Sequence, residues 1–192
     1  MRHGVAWAFG LAEDLLAEAL PRRWAHSQGV AERATELAHV LGTDAELLRA
    51  AAVLHDVGYA PSIAATGFHP LDGARHLRVV HGADERLVRL VANHTFALWE
   101  AEERGLRGEL EAEFPVLEEP SLIDALVYCD VTTTPDGRPT TSVQRVAEIR
   151  GRYGDDSLVG RFIRRAAPEL HACVARVEAR LVAAPDGSAH PR

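Results

Sequence analysis

The sequence predicts an all-α protein, a helical bundle of about seven to nine helices. Three observations carry this. Apolar residues recur at helical spacing through most of the chain, Gly and Pro punctuate the periodic stretches, and no alternating strand pattern is present. The chain has 192 residues, 47% of them hydrophobic, which suits one globular domain with a sizeable core. That domain is expected over residues 1–183, with 184–192 as a frayed, disordered tail.

The elements follow in order. Val5 to Leu20 reads as an amphipathic helix ended by Pro21. Arg22 to Leu41 reads as a second, stopped by Gly42. Thr43 is placed to N-cap the third, with Glu46 completing a capping box. The stretch Leu47 to Leu54 is apolar nearly all round, so this helix is expected to be buried. It ends at His55-Asp56, and Gly58 to Pro61 break it. After a loop, His69-Pro70 opens a fourth helix that ends near His81-Gly82. Asp84 to His94 is a fifth, expected to continue to Arg104. Gly105 to Glu119 reads as a polar, acidic connection. Pro120 to Val131 is an apolar helix ending in Asp130. Thr132 to Thr141 is a loop with a Pro-Asp-Gly turn, Ser142 to Tyr153 a helix, and Asp156 to Val182 a long helical region with a bend expected near Pro168.

Bulk properties exclude several function classes. The net charge of −7 disfavours nucleic acid and anionic membranes as partners. No 18-residue apolar run occurs, and acidic residues interrupt the N-terminal apolar stretch, so neither a membrane span nor a signal peptide is read. Two cysteines, Cys129 and Cys173, suit buried reduced thiols of a cytoplasmic protein. The apolar N-terminal helix, with Val5, Trp7, Phe9 and Leu11, suits packing on the bundle or on a second copy as a homodimer.

Polar residues stand where periodicity demands apolar ones. His26 extends the stripe Val30, Ala34, Leu37, Leu41. His55 and Asp56 close the buried helix. His94 follows Leu87, Leu90 and Val91. Asp130 follows Ile123, Leu126 and Val127 at i, i+3, i+4, i+7. A carboxylate in an apolar interior needs a partner, and a divalent cation accepts both His and Asp. Five such residues converging on one core point to a metal centre, and His69, at a helix start, is a sixth candidate. The remaining histidines read as solvated or structural.

The order His26, His55-Asp56, His69, His94, Asp130 resembles the HD-domain superfamily of metal-dependent phosphohydrolases. The resemblance spans roughly residues 22–165 and is carried by AHSQGVAERA, AAVLHDVGY, FHPLDGARHL, ANHT and LVYCDVTTTPDG. It implies that His26, His55, Asp56 and Asp130 hold one ion and that His69 and His94 hold a second, with Asp56 bridging. Six N and O ligands without thiolate suit Fe or Mn, with Mg, Co or Zn further alternatives. The implied function is hydrolysis of a phosphomonoester, phosphodiester or phosphoanhydride of a small nucleotide or related metabolite by a metal-activated hydroxide, with Asp56 as the catalytic ligand.

Residues 57–61 carry no Glu to position water, and the Glu-Asp pair of the alarmone hydrolases is missing. Tyr59 stands where cyclic-dinucleotide phosphodiesterases carry Lys. The His94-Thr95 pair and the HPLDGA segment are closer to small dinuclear members that cleave dinucleoside polyphosphates. Arg75, Thr95, Thr132 and Arg138 are the candidate substrate-binding residues. Two other readings share this ligand set: a mixed-valent di-iron oxygenase, and a non-catalytic regulatory bundle stabilised by metal.

Overall fold

The computed structural model describes residues 3–184. It is all-α: among the described residues there is no strand, only an isolated bridge between Thr133 and Pro139. The helices are α1 (Val5–Leu16), α2 (Pro21–Glu36), α3 (Ala38–Leu41), α4 (Ala45–Leu54), α5 (His69–Val79), α6 (Glu85–Asn93), α7 (Ala97–Arg104), α8 (Arg107–Glu113), α9 (Pro120–Val131), α10 (Ser142–Tyr153) and α11 (Leu158–Ala183). Nine of them have eight or more residues, in keeping with the number the sequence predicts. The expected tail lies, from residue 185 on, outside the described residues.

Helix α4 is the axis of the bundle. Leu47, Leu48 and every residue from Ala50 to Leu54 are buried, because α1, α2, α6 and α9 all pack around it. A helix so enclosed is apolar nearly all round, with Glu46 and Arg49 on the side that stays in contact with solvent. Helix α1 lays Val5, Ala8, Ala12 and Leu16 against this core, so its apolar face is covered within the chain.

Several boundaries differ from expectation, each for a local reason. Helix α1 stops at Leu16, and Pro21 opens α2 rather than merely ending its predecessor, as a residue without an N–H can at a first turn. The second predicted helix breaks at Leu37, whose ψ of −1° takes it out of the helical run. Thr43 caps nothing; it lies in a 3₁₀ turn, Gly42–Asp44. The acidic connection contains α8, which buries Leu110, and Phe114 just past its end is buried as well. Two apolar residues four apart signal that helix, though seven residues are too few to show periodicity. Helix α11 runs unbroken through Pro168.

Helix α10 starts on a reciprocal capping box. The Thr141 side chain accepts from the Gln144 backbone, while Oε1 of Gln144 receives the Thr141 N–H. The T141A variant is expected to lose about 1 kcal/mol, the usual worth of an N-cap. Denaturant unfolding measures it, and an unchanged midpoint would show the cap to be idle.

Candidate metal centre

Three close approaches bring the polar residues together. The first is between the 3₁₀ turn after α4 (Val57–Tyr59) and the start of α5. A Cβ added at Gly58 would lie 1.9 Å from the His69 carbonyl oxygen and 2.7 Å from the Gly73 nitrogen. Only glycine permits this contact, and it sets His69 beside Asp56. The second is between α2 and the loop after α9. Gly29 and Gly137 touch backbone to backbone, Gly137 at a positive φ of 75°. That contact carries the Thr134 carbonyl onto His26. The third is the break between α6 and α7. Thr95 and Phe96 both adopt left-handed conformations (φ 49° and 59°), which are costly for residues with a Cβ. The break turns His94 inward and lets Thr95 Oγ1 donate to Asp130 Oδ2 at 2.5 Å.

The tautomers are fixed from outside the centre. Nδ1 of His26 donates to Thr134 O, Nδ1 of His55 to Ala52 O, and Nδ1 of His94 to Val91 O, at 2.9, 2.7 and 2.6 Å. A ring that donates through Nδ1 presents a bare lone pair at Nε2. In its neutral form each of the three therefore aims an acceptor, not a donor, at the carboxylates. The Nε2 of His55 is buried and has no hydrogen-bond partner. It lies 3.3 Å from Asp56 Oδ2 but off the line of a hydrogen bond.

The separations fit ligands of metal ions. Two atoms about 2.1 Å from one octahedral ion lie about 3.0 Å apart when adjacent and about 4.2 Å when opposite. The Nε2 atoms of His69 and His94 are 3.0 Å apart, and His26 Nε2 is 3.1 Å from Asp130 Oδ1. His69 Nε2 is 3.3 Å from Asp56 Oδ1. Distances of 4.0 Å separate His26 Nε2 from Asp56 Oδ2 and His55 Nε2 from Asp130 Oδ1. The ligands form two groups, His26–His55–Asp56 and Asp56–His69–His94, which share Asp56. Its Oδ2 faces the first and its Oδ1 the second. An orphaned buried lone pair, outward-tethered rings and a doubly facing carboxylate all fit divalent cations, and the pinned Nδ1 atoms supply the outer hydrogen bonds that orient metal-bound histidines.

The electrostatics describe the same demand for positive charge. Burial raises the Asp56 carboxyl, but the Arg23 guanidinium and His55 outweigh it and hold Asp56 well below the carboxylate range. Burial also raises Asp130, which His26 and His55 bring down. Burial pushes the His55 ring down, yet Asp56 and Asp130 lift it to about 8. A fully enclosed imidazole that favours a proton marks a site that draws cations. His69 shows the opposite balance: burial dominates and lowers it to about 3, which keeps its nitrogens available as ligands.

Of the candidate substrate residues, only Thr95 lines the cavity over the centre. Arg75 does not reach it. Six residues beyond His69, it is turned by about 240° around the helix, and it pairs with Glu109 and Glu113 of α8. Thr132 is buried on another side, donating to Tyr128 O and accepting from Arg33 Nε. Arg138 is exposed on the turn, its backbone N–H bound by Thr134 Oγ1. The Thr-rich loop serves the centre through one carbonyl, that of Thr134. Asp72 holds a loop, accepting from Ala65 N, Thr66 N and Thr66 Oγ1.

Sequence reasoning passed over Arg23, Glu100, Arg145 and Arg152 among the polar residues that line the cavity. Arg23 donates to Asp56 Oδ2 at 2.6 Å. It also lies over the Tyr59 ring, which stacks on His69 at 3.9 Å. Its signal was present, since Arg23 is one helical turn before His26. Glu100 is buried on α7, its Oε1 held by Arg104 and its carboxyl raised by burial. Arg145 comes from α10. Nothing local distinguishes Glu100, Arg145 or Arg152 as facing the centre, whereas Tyr59, which stands where the cyclic-dinucleotide phosphodiesterases carry Lys, lines it and stacks on His69. Ile149, Tyr153, Val159, Phe162 and Ile163 of α10 and α11 form the apolar wall of the cavity.

No helix among the described residues is long and apolar enough to cross a membrane. The HD-domain family model matches residues 23–130, from the residue before Trp24 to the last of the six polar residues. No curated protein and no solved structure matches the chain.

Proposed function

The chain belongs to the HD-domain family, and on that premise we propose that it is a metal-dependent phosphohydrolase with two ions, acting on a small nucleotide or related phosphorylated metabolite. The observation that carries this reading is the division of the ligands into two groups sharing Asp56. His26, His55, Asp56 and Asp130 would hold one ion, and Asp56, His69 and His94 the other. The N and O donors without thiolate suit Fe or Mn. Bound there, such ions supply Lewis acidity toward a phosphate and a water acidic enough to attack it at neutral pH.

The remaining work falls to the chain's own groups. Arg23, at the mouth of the centre and against Asp56, is positioned to bind a phosphate oxygen with its planar fork. Tyr59 fixes the plane of His69 by stacking, and Thr95 orients Asp130 through its hydroxyl. The wall from Ile149 to Ile163 excludes water on one side and offers apolar surface to the organic part of a substrate. Glu100 Oε2 has no hydrogen-bond partner among the described residues and lines the same cavity, where it can accept from a substrate hydroxyl or amine.

Elemental analysis of anaerobically purified protein is expected to find two ions per chain. Chelation should abolish hydrolysis of the phosphoesters and phosphoanhydrides that a screen identifies, Mn or Fe should restore it, and the loaded protein should melt at higher temperature than the stripped one. A single ion per chain would overturn the dinuclear reading. Hydrolysis that survives chelation, or two ions without hydrolysis of any phosphorus ester or anhydride, would overturn the phosphohydrolase reading.

A further inference from the structure

We propose that an arginine-lined cavity beside the metal centre is a subsite for a second phosphate, and that the substrate is a phosphoanhydride carrying two linked phosphate groups. The proposal rests on the phosphohydrolase reading of the centre and adds the substrate class. A cavity of about 300 Å³ lies between the start of α2 and α10, and Arg22, Arg23, His26, Pro135, Arg145 and Arg152 line it. Arg23, His26, Arg145 and Arg152 also line the cavity over the metal ligands, so the two spaces adjoin. No carboxylate is among the residues that line the second cavity.

Arg145 makes the subsite more than a basic patch. It is 7% exposed, an unusual position for a guanidinium. Its Nη1 pairs with Glu148, but its Nε is buried without a partner, and no hydrogen bond from Nη2 exists among the described residues. Arg145 lines both cavities, and its Nη2 lacks the acceptor that a guanidinium so placed ordinarily finds, which a ligand in the cavity would supply. Glu148 is shared: it also lies 3.3 Å from Arg152 Nε. One carboxylate thus pairs with two guanidinium groups, and the other negative charge acting on Arg145 is that of the metal ligand Asp130. Arg22 is held outward by Asp136, and Arg23 reaches the other way to Asp56. Tetrahedral phosphate with several acceptor oxygens is the ligand that converging planar forks bind best.

Placed across both spaces, a phosphoanhydride puts one phosphorus at the metal ligands and its neighbour among the arginines. Water adds through oxygen to the first phosphorus as the bond from that phosphorus to the bridging oxygen breaks. The bridging oxygen keeps the electron pair and leaves with the second phosphate, whose charge Arg145 and Arg152 neutralise. One proton of the water stays on a product phosphate and the other passes to solvent.

Calorimetric titration of the Mn-loaded protein with methylenebisphosphonate and with methylphosphonate tests the subsite without any turnover. The bisphosphonate is expected to bind at least tenfold more tightly, and R145Q is expected to remove at least tenfold of that affinity while metal content, measured in parallel, stays at the wild-type value. R152Q, changed at the surface end of the cavity, is expected to weaken the bisphosphonate severalfold and covers the case that R145Q does not fold. Equal affinities for the two ligands, no binding of either, or bisphosphonate affinity unchanged in the folded variants would overturn the proposal. A loaded protein that prefers the bisphosphonate through Arg145 yet hydrolyses phosphoesters and no phosphoanhydride would overturn the proposed substrate class, and one that hydrolyses neither would sink the phosphohydrolase reading and leave only the anion subsite standing.

Discussion

Replacing Asp56 by asparagine is expected to lower the hydrolytic rate by at least about a thousandfold and to cut metal content from two ions to one or none. The side chain keeps its volume, so the packing at the end of α4 is preserved. The charge is lost, and with it the one group whose two oxygens face both sets of histidines, His55 through Oδ2 and His69 through Oδ1. Arg23 also loses its partner at 2.6 Å and then repels any ion near the position. Elemental analysis and initial rates at saturating metal measure the two effects together. A D56N protein that keeps two ions, or a tenth of the wild-type rate, would mean that Asp56 does not bridge.

The G58A variant is expected to lose about 3 kcal/mol of stability, at the upper end for overpacking. Its new methyl would meet backbone, not a flexible side chain: the His69 carbonyl at 1.9 Å and the Gly73 nitrogen at 2.7 Å. Relief requires the start of α5 to move away from the turn, which carries His69 off Asp56. Loss of stability and loss of the second ion are therefore expected together. The G10A variant is the contrasting case. Nothing lies within 4 Å of a Cβ at Gly10, in the interior of α1, so alanine there is expected to stabilise by about 0.5–1 kcal/mol. Thermal and denaturant unfolding of both variants, with metal analysis of G58A, checks the pair. A G58A protein as stable as the wild type would show that the turn and α5 can separate freely.

The positions that periodicity singled out are the ones the fold gathers. His26, His94 and Asp130 each continue an apolar stripe, and His55-Asp56 ends a helix enclosed on all sides, so burial could be read from spacing alone. The substrate residues fared differently. Arg75 lies on the same helix as His69, but a rotation of about 240° around it sends Arg75 to α8. Thr132 and Arg138 follow Asp130 closely in sequence, but the loop turns their side chains elsewhere and contributes a carbonyl that no residue type advertises. The helix predicted to run to Arg104 breaks at Thr95 and Phe96. Neither is glycine, and the strain is held by surrounding contacts that propensity does not encode.

By itself the sequence determined the helical class, the buried α4 and the polar residues that must find partners in its core. Local spacing fixes which face of a helix a side chain occupies, and a buried charge announces itself by the residues around it. The tertiary structure decided the rest: the division of the ligands into two groups about Asp56, the glycine contacts that bring α5 to the turn after α4 and the 132–141 loop to α2, and the arrival of Arg23 and Arg145 at the centre. Those depend on distances between elements far apart in the chain. Periodicity carries no information about such distances, and only the packing of whole helices sets them.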